Sequence, residues 1–167
     1  LFGLEDDTYD QRLTLTQNML WKRVDGIITL NVPMTAEEVD LVDRLELPLV
    51  AIGSPVPGRA CVRIDDRLAL RTAVQHLADL GHTKVGYIGS VPDNVAHIQT
   101  PQDRLEAFKA SVVEFGLTCE PAWILNSDWT AEAAAQDSRD LLRGDHRPTA
   151  IVAASDEMAI GVRESAR

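Results

Sequence analysis

The sequence predicts an α/β fold in which mainly parallel sheets are flanked by helices. Three observations carry this reading. Short apolar runs alternate with segments of helical period from end to end. Each run has strand length and leads into a helix-length segment, the rhythm of right-handed βαβ units. Over 167 residues, 45% are hydrophobic and 25% charged, enough apolar side chain to offset chain entropy and to argue against disorder. Length alone allows one domain or two small lobes on one chain.

The elements follow in order. Residues 1–4 read as the tail of a strand with nothing before it. Residues 26–30, GIITL, read as a buried strand. Thr35 and Glu38 form a capping-box pattern that opens a helix with Val39, Val42 and Leu45 on one side. Residues 47–52 form the next strand, with Pro48 near its start, where a missing N–H is tolerated. Residues 53–58 are rich in turn formers, and 61–64 make a short strand. Leu70, Ala73, Val74, Leu77 and Leu80 mark a helix that stops at Gly81.

The rhythm then repeats. Residues 85–88 are a strand. Thr100-Pro101 begins a helix whose Leu105, Phe108, Val112 and Phe115 recur on one side before Gly116 ends it. Residues 122–125 read as a strand, 130–142 as a helix, 150–153 as a strand and 156 onward as a helix. The expected count is about six helices and seven strands. Both ends look cut, which suggests a fragment of a larger chain.

Composition excludes several functions. Sixteen Lys and Arg against twenty-six Asp and Glu give a net charge of −10. Such a surface repels phosphate backbones and anionic lipid, so these residues do not grip nucleic acid themselves. No apolar run approaches a membrane span, and no basic start with an apolar stretch marks a signal peptide. Cys61 and Cys119 lack CxxC partners, which fits small hydrophobes in a reducing compartment. His76, His82, His97 and His146 show no metal-ligand spacing, so no metal and no cofactor is expected. Gly86-Tyr87-Ile88-Gly89 is not GxGxxG, and neither a phosphate loop nor a nucleophile elbow occurs. Ser54 and Ser90 have no His–Asp constellation, and no catalytic residue is assigned.

In open parallel sheets, ligands bind outside the carboxyl ends of the strands. The polar residues just past the expected strands are Asp65 and Asp66, the loop leading to Arg104, Asp128 with Trp129, and Ser155 with Asp156. Carboxylates accept hydroxyl hydrogen bonds, arginine offers a rigid fork of donors, and an indole offers a face to a ring. Each has a plainer role open to it. Asp65 or Asp66 suits a helix N-cap, Arg104 suits a surface pair with Asp103 or Glu106, Trp129 suits packing at a helix entrance, and Asp156 suits capping beside Ser155. Their common place at strand ends favours a site.

Five segments then occur in order: Val24-Asp25-Gly26-Ile27-Ile28, Leu47-Pro48-Leu49-Val50-Ala51-Ile52-Gly53, His76-Leu77-Ala78-Asp79-Leu80-Gly81-His82, Pro148-Thr149-Ala150-Ile151 and Ser155-Asp156-Glu157-Met158-Ala159-Ile160-Gly161. Together they resemble the effector-binding core of lactose/galactose-repressor-type bacterial transcription regulators, over nearly the whole chain. The resemblance implies a two-lobed, periplasmic-binding-protein-like fold that clamps a small ligand, here a fragment of the full domain. It puts residues 1–81 in the N-terminal lobe and 82–167 in the C-terminal lobe, with the crossover near Leu80-Gly81-His82.

The resemblance also implies the site. Arg104 matches the arginine of the R-x-x-G-F helix start, although Ala107 stands in the place of its glycine. Asp156 matches the aspartate of S-D-x-M-A, Trp129 an aromatic that packs on the ligand, and Asp65 the aspartate of a D-N pair whose asparagine is Asp66 here. Arg104 and Asp156 are expected to face one inter-lobe cleft, with Trp129 part-exposed at its mouth. The implied protein is a cytoplasmic, ligand-responsive regulator and not an enzyme. Its effector is a sugar, a sugar phosphate, a nucleobase or a related metabolite. It reaches operator DNA through an N-terminal helix-turn-helix that these residues lack. The rival readings are a periplasmic sugar-binding protein and an α/β enzyme acting on a sugar or nucleotide. The last helix has apolar residues on more than one side, and the resemblance implies a homodimer contact at Ile160, Gly161, Arg163 and Glu164.

Overall fold

Strand and helix alternate through the computed structural model, which describes residues 24–90 and 99–167. The strand tail expected at residues 1–4 lies outside them, as does His97. The chain divides into two compact units between Ile64 and Asp65.

In the first unit, three parallel strands form one sheet in the order β1-β2-β3: β1 (Ile27–Leu30), β2 (Leu49–Ile52) and β3 (Ala60–Val62). Helix α1 (Ala36–Arg44) connects β1 to β2. Its capping box is complete. The Thr35 hydroxyl accepts from the Glu38 N–H at 3.3 Å, and the Thr35 N–H donates to the Glu38 carboxylate at 2.8 Å. Leu41 and Val42 of α1 pack on Leu49, Ala51 and Val56. Arg59 pairs with Asp43 of α1.

The expectation that residues 26–30 form a buried strand is half met. Thr29 faces inward, but Ile28 and Leu30 are exposed together with Val50, Ile52 and Val62. Alternate side chains leave opposite faces of a strand, so a helix on one face cannot bury both sets. The strand expected at 47–52 begins at Leu49. Pro48 remains in the structure as an acceptor, its carbonyl receiving the Ile27 N–H at 2.8 Å. The third strand starts one residue earlier than expected and stops at Val62.

The second unit holds a parallel sheet of order β5-β4-β6: β4 (Val85–Gly89), β5 (Ile124–Asn126) and β6 (Ala150–Ala153). Central β4 is buried at every residue. The helices form two packed pairs, α2 (Asp66–Asp79) with α3 (Gln99–Glu114), and α4 (Ala131–Arg143) with α5 (Asp156–Ser165). Leu70 and Val74 of α2 enter the core that β4 forms with Phe108, Val112, Val152 and Met158. That packing places α2 with the second unit. Full burial of each large apolar side chain contributes roughly 1.5–3 kcal/mol. Arg71 of α2 forks onto Glu114 of α3 at 2.6–3.1 Å and lies over Phe115.

Gly81 ends α2 as the spacing predicts. Its φ is +85°, its N–H donates to the Ala78 carbonyl, and the His82 N–H donates to Leu77. This left-handed cap favours glycine. Leu80, expected on the buried stripe, is exposed because the helix has already ended there. The strand expected at 122–125 is a 3-10 turn at Pro121–Trp123 followed by β5. Proline at the turn's first position and the Trp123 N–H bond to Glu120 favour the turn. Trp123 is buried and donates its indole N–H to the His146 carbonyl at 3.3 Å.

Candidate functional site

The carboxyl ends of β5, β4 and β6 form one rim of the second unit, where α4 and α5 begin, and the start of α2 meets this rim through Arg104. Arg104, in the second turn of α3, joins two of these elements. Its Nε donates to Asp66 Oδ1 at 2.7 Å, and its Nη1 donates to the Ala154 carbonyl at 2.7 Å. The two side chains are only 21% and 11% exposed. Ala154 follows β6 directly, and its own N–H donates to the Ile88 carbonyl of β4. The guanidinium is thus fixed at two points, and charge-assisted bonds in a partly dry setting hold it firmly.

The neighbouring carboxylates divide their work. Asp65 is the N-cap of α2, accepting from the Leu68 N–H at 2.9 Å. Asp66, first residue of that helix, is left to face Arg104. At the start of α5 the Ser155 hydroxyl caps the helix by accepting from Met158 N–H at 3.3 Å. Asp156, next in the chain, does not cap and is exposed. Acidic residues at both helix starts complement the helix dipole.

After β5, the Ser127 N–H donates to the Gly89 carbonyl at the end of β4. Asp128 accepts from the Trp129 N–H at 2.8 Å, and Thr130 caps α4 through the Ala133 N–H. Trp129 is 37% exposed, so its indole is half open to solvent and not sealed in the core. A groove of about 650 Å³ runs along the outer edge of β6. It is walled by Ala73 and Leu77 of α2 and by Asp156, Val162 and Arg163 of α5. Asp156 lines it, while Arg104, Asp65, Asp66 and Trp129 do not. Arg104 is instead turned onto two strong acceptors at the rim.

Two hydroxyls escaped the reading from sequence. Tyr87 of β4 is 1% exposed and Ser127 6%, and neither hydroxyl has a partner among the described residues. Burial pushes the Tyr87 phenol up to about 12, Arg104 opposes the rise and Asp66 adds to it. A tyrosine inside an otherwise apolar strand, two residues before a glycine, was the available signal.

Of the residues expected at a dimer contact, Ile160 is 45% exposed, and Arg163 and Glu164 are exposed. Gly161 is instead buried against α4, where a Cβ would lie 2.0 Å from the Ala131 carbonyl oxygen. A side-chain-free residue is what lets the two helices meet so closely. Among the described residues, no group of His, Cys, Asp or Glu is arranged to hold a metal ion, and no helix is long and apolar enough to cross a membrane.

Residues 74–167 match the periplasmic binding protein-like domain. The chain is 32% identical over 168 residues to catabolite control protein A of Priestia megaterium, covering 97% of this chain and 48% of that protein. It is 30% identical over 146 residues to the HTH-type transcriptional repressor PurR of Glaesserella parasuis serovar 5, covering 86% and 42%. It is also 30% identical over 152 residues to the ribose operon repressor of Haemophilus influenzae, covering 89% and 44%. The chain thus spans about half the length of the curated relatives it matches. Among solved structures, a LacI-family regulatory protein from Chloroflexus aggregans matches with a TM-score of 0.80 at 27% identity, covering 99% of this chain and 59% of that one. A LacI-family regulator from Mycobacterium smegmatis matches with a TM-score of 0.73 at 29% identity, covering 99% and 60%.

Proposed function

Since the chain belongs to the periplasmic binding protein-like domain family, we propose that it is part of the sensor domain of a cytoplasmic, ligand-responsive transcriptional regulator. The regulator names of its relatives support this reading. The effector is a small molecule, a sugar or a related metabolite. The observation that carries the proposal is Arg104 held at once by Asp66 and the Ala154 carbonyl. A fork anchored at two points presents its remaining N–H groups to a ligand acceptor without an ordering cost at the moment of binding.

Asp156 accepts from ligand hydroxyls, and Trp129 packs its indole on the apolar face of the ring. Asp66 positions Arg104, and Asp65 holds the start of α2 that carries Asp66. Binding favours one arrangement of the sensor over another only through unequal affinity for the two. In the longer protein this bias changes the affinity of DNA-binding heads for operator DNA across a homodimer, with Ile160, Arg163 and Glu164 in the contact. The chemistry is binding without turnover and uses no cofactor, so a bound ligand is recovered unchanged.

The test is a thermal-shift screen of the full-length protein against neutral sugars, sugar phosphates and nucleobases. At least one compound raises the midpoint, and Asp156→Ala weakens it by ~1–3 kcal/mol. Trp129→Leu removes the ligand-dependent change in tryptophan fluorescence. A panel with no binder, or binding untouched by Arg104→Met, overturns the proposal.

A further inference from the structure

Arginine grips a carboxylate or a phosphate with two parallel bonds, from Nε and Nη2 on one edge or from Nη1 and Nη2 on the other. In Arg104 each edge has one nitrogen already bonded. Nε donates to Asp66 Oδ1 at 2.7 Å, and Nη1 donates to the Ala154 carbonyl at 2.7 Å. Nη2 has no bond among the described residues, and it is not one of the buried atoms left without a partner, so solvent reaches it.

The two acceptors differ in what they do to the charge. The Ala154 carbonyl is neutral backbone just past β6. Asp66 brings a full countercharge on a side chain that is 11% exposed, against a guanidinium that is 21% exposed. Water and salt screen such a pair less than one on the open surface. Capping does not explain the placement, because Asp65 and not Asp66 caps α2 through the Leu68 N–H. The bond instead joins the first residue of α2 to the second turn of α3, 38 positions away. Asp66 thus stands where an anionic group of a ligand would stand.

We propose that Asp66 is a specificity-determining residue that acts as a built-in competitor for Arg104. It occupies the guanidinium in the unliganded chain, and a phosphate or carboxylate group of a ligand grips Arg104 only by displacing it. A single acceptor atom uses Nη2 and leaves the pair in place. The proposal rests on the reading of Arg104 as an effector-facing group, and it adds the residue that sets how the site treats charge.

Calorimetric titration of the full-length protein with inorganic phosphate, at neutral pH and fixed ionic strength, tests it. The chains compared are wild type, Asp66→Asn, Asp66→Ala, Glu157→Gln, and Asp66→Ala combined with Arg104→Met. Glu157 lies in the first turn of α5, so its substitution removes one charge at the same rim without removing a bond to Arg104. Both Asp66 variants bind phosphate at least about tenfold more tightly than wild type. Glu157→Gln changes the affinity by less than about twofold, and the added Arg104→Met abolishes the gain. Asp66→Asn keeps the shape of the side chain, and circular dichroism checks that each variant folds as wild type does. Wild type that binds phosphate as tightly as the Asp66 variants, or no phosphate binding by any chain, overturns the competitor and leaves the effector reading to the screen above. An equal gain in Glu157→Gln shows general charge acting in place of the pair and overturns it as well. A gain that survives Arg104→Met overturns Arg104 as the group that takes the ligand, and the effector reading with it.

Discussion

Arg104→Met tests whether the rim is built around one ion pair. The substitution keeps an unbranched apolar stem and removes the bond to Asp66 and the bond to the Ala154 carbonyl. A surface pair contributes less than about 1 kcal/mol, and breaking a fully buried pair costs about 3–5 kcal/mol. With Arg104 21% and Asp66 11% exposed, the pair lies nearer the buried limit, discounted for residual solvent. The expected loss is about 2–3 kcal/mol, because Asp66 keeps its charge without a partner. Asp66→Asn retains an acceptor for Arg104 and loses about 1 kcal/mol. Urea unfolding of the full-length protein, followed by far-ultraviolet circular dichroism and by the buried Trp123, measures both variants and their combination. The double-mutant cycle gives a coupling of about 1–2 kcal/mol. A coupling below about 0.5 kcal/mol would show two independent side chains and refute the reasoning.

Three further outcomes are expected. Gly161→Ala puts a Cβ 2.0 Å from the Ala131 carbonyl oxygen and 2.9 Å from the Ala135 nitrogen, both backbone atoms. It lowers stability by about 2–3 kcal/mol in urea unfolding, since helices α4 and α5 must separate. The folded phenol of Tyr87, at about 12, sits above its ordinary 10.0. Its stability contribution is therefore complete below about pH 10 and is lost as pH rises through 12, by roughly 2–3 kcal/mol in all. Tyr87→Phe removes that alkaline decline, and wild-type and variant curves that stay parallel from pH 9 to about 12 contradict it. Ile160→Asp combined with Arg163→Glu converts the homodimer proposed for the full-length protein to monomer at about micromolar concentration in sedimentation; a dimer that survives moves the interface elsewhere, and a wild-type monomer overturns the proposed dimer.

Local signals with a physical mechanism read correctly from sequence. The Thr35 and Glu38 box and the cap at Gly81 each depend on residues within a few positions of one another. Strand ends read less well. Leu47 and Pro48 continue the apolar run into β2, yet β2 begins at Leu49, and residues 122–123 belong to a turn. Apolarity marks burial, and Trp123 is buried without being in a strand.

The sequence by itself determined the order of elements, the parallel sheets and the end of the second sheet at which Arg104, Trp129 and Asp156 stand, because period, caps and strand polarity are local properties. Only the tertiary structure decided what each of them does. Asp65 and Asp66 are adjacent and chemically identical, yet one caps α2 and the other holds Arg104, 38 positions away. Gly161 reads as one more helix residue until α4 arrives within contact of its backbone. Tyr87 and Ser127 read as a strand residue and a loop residue until β4 and β5 pair and both hydroxyls are buried. Partners distant in sequence are chosen by packing, and no local pattern encodes which acceptor a long side chain will reach once the core has closed.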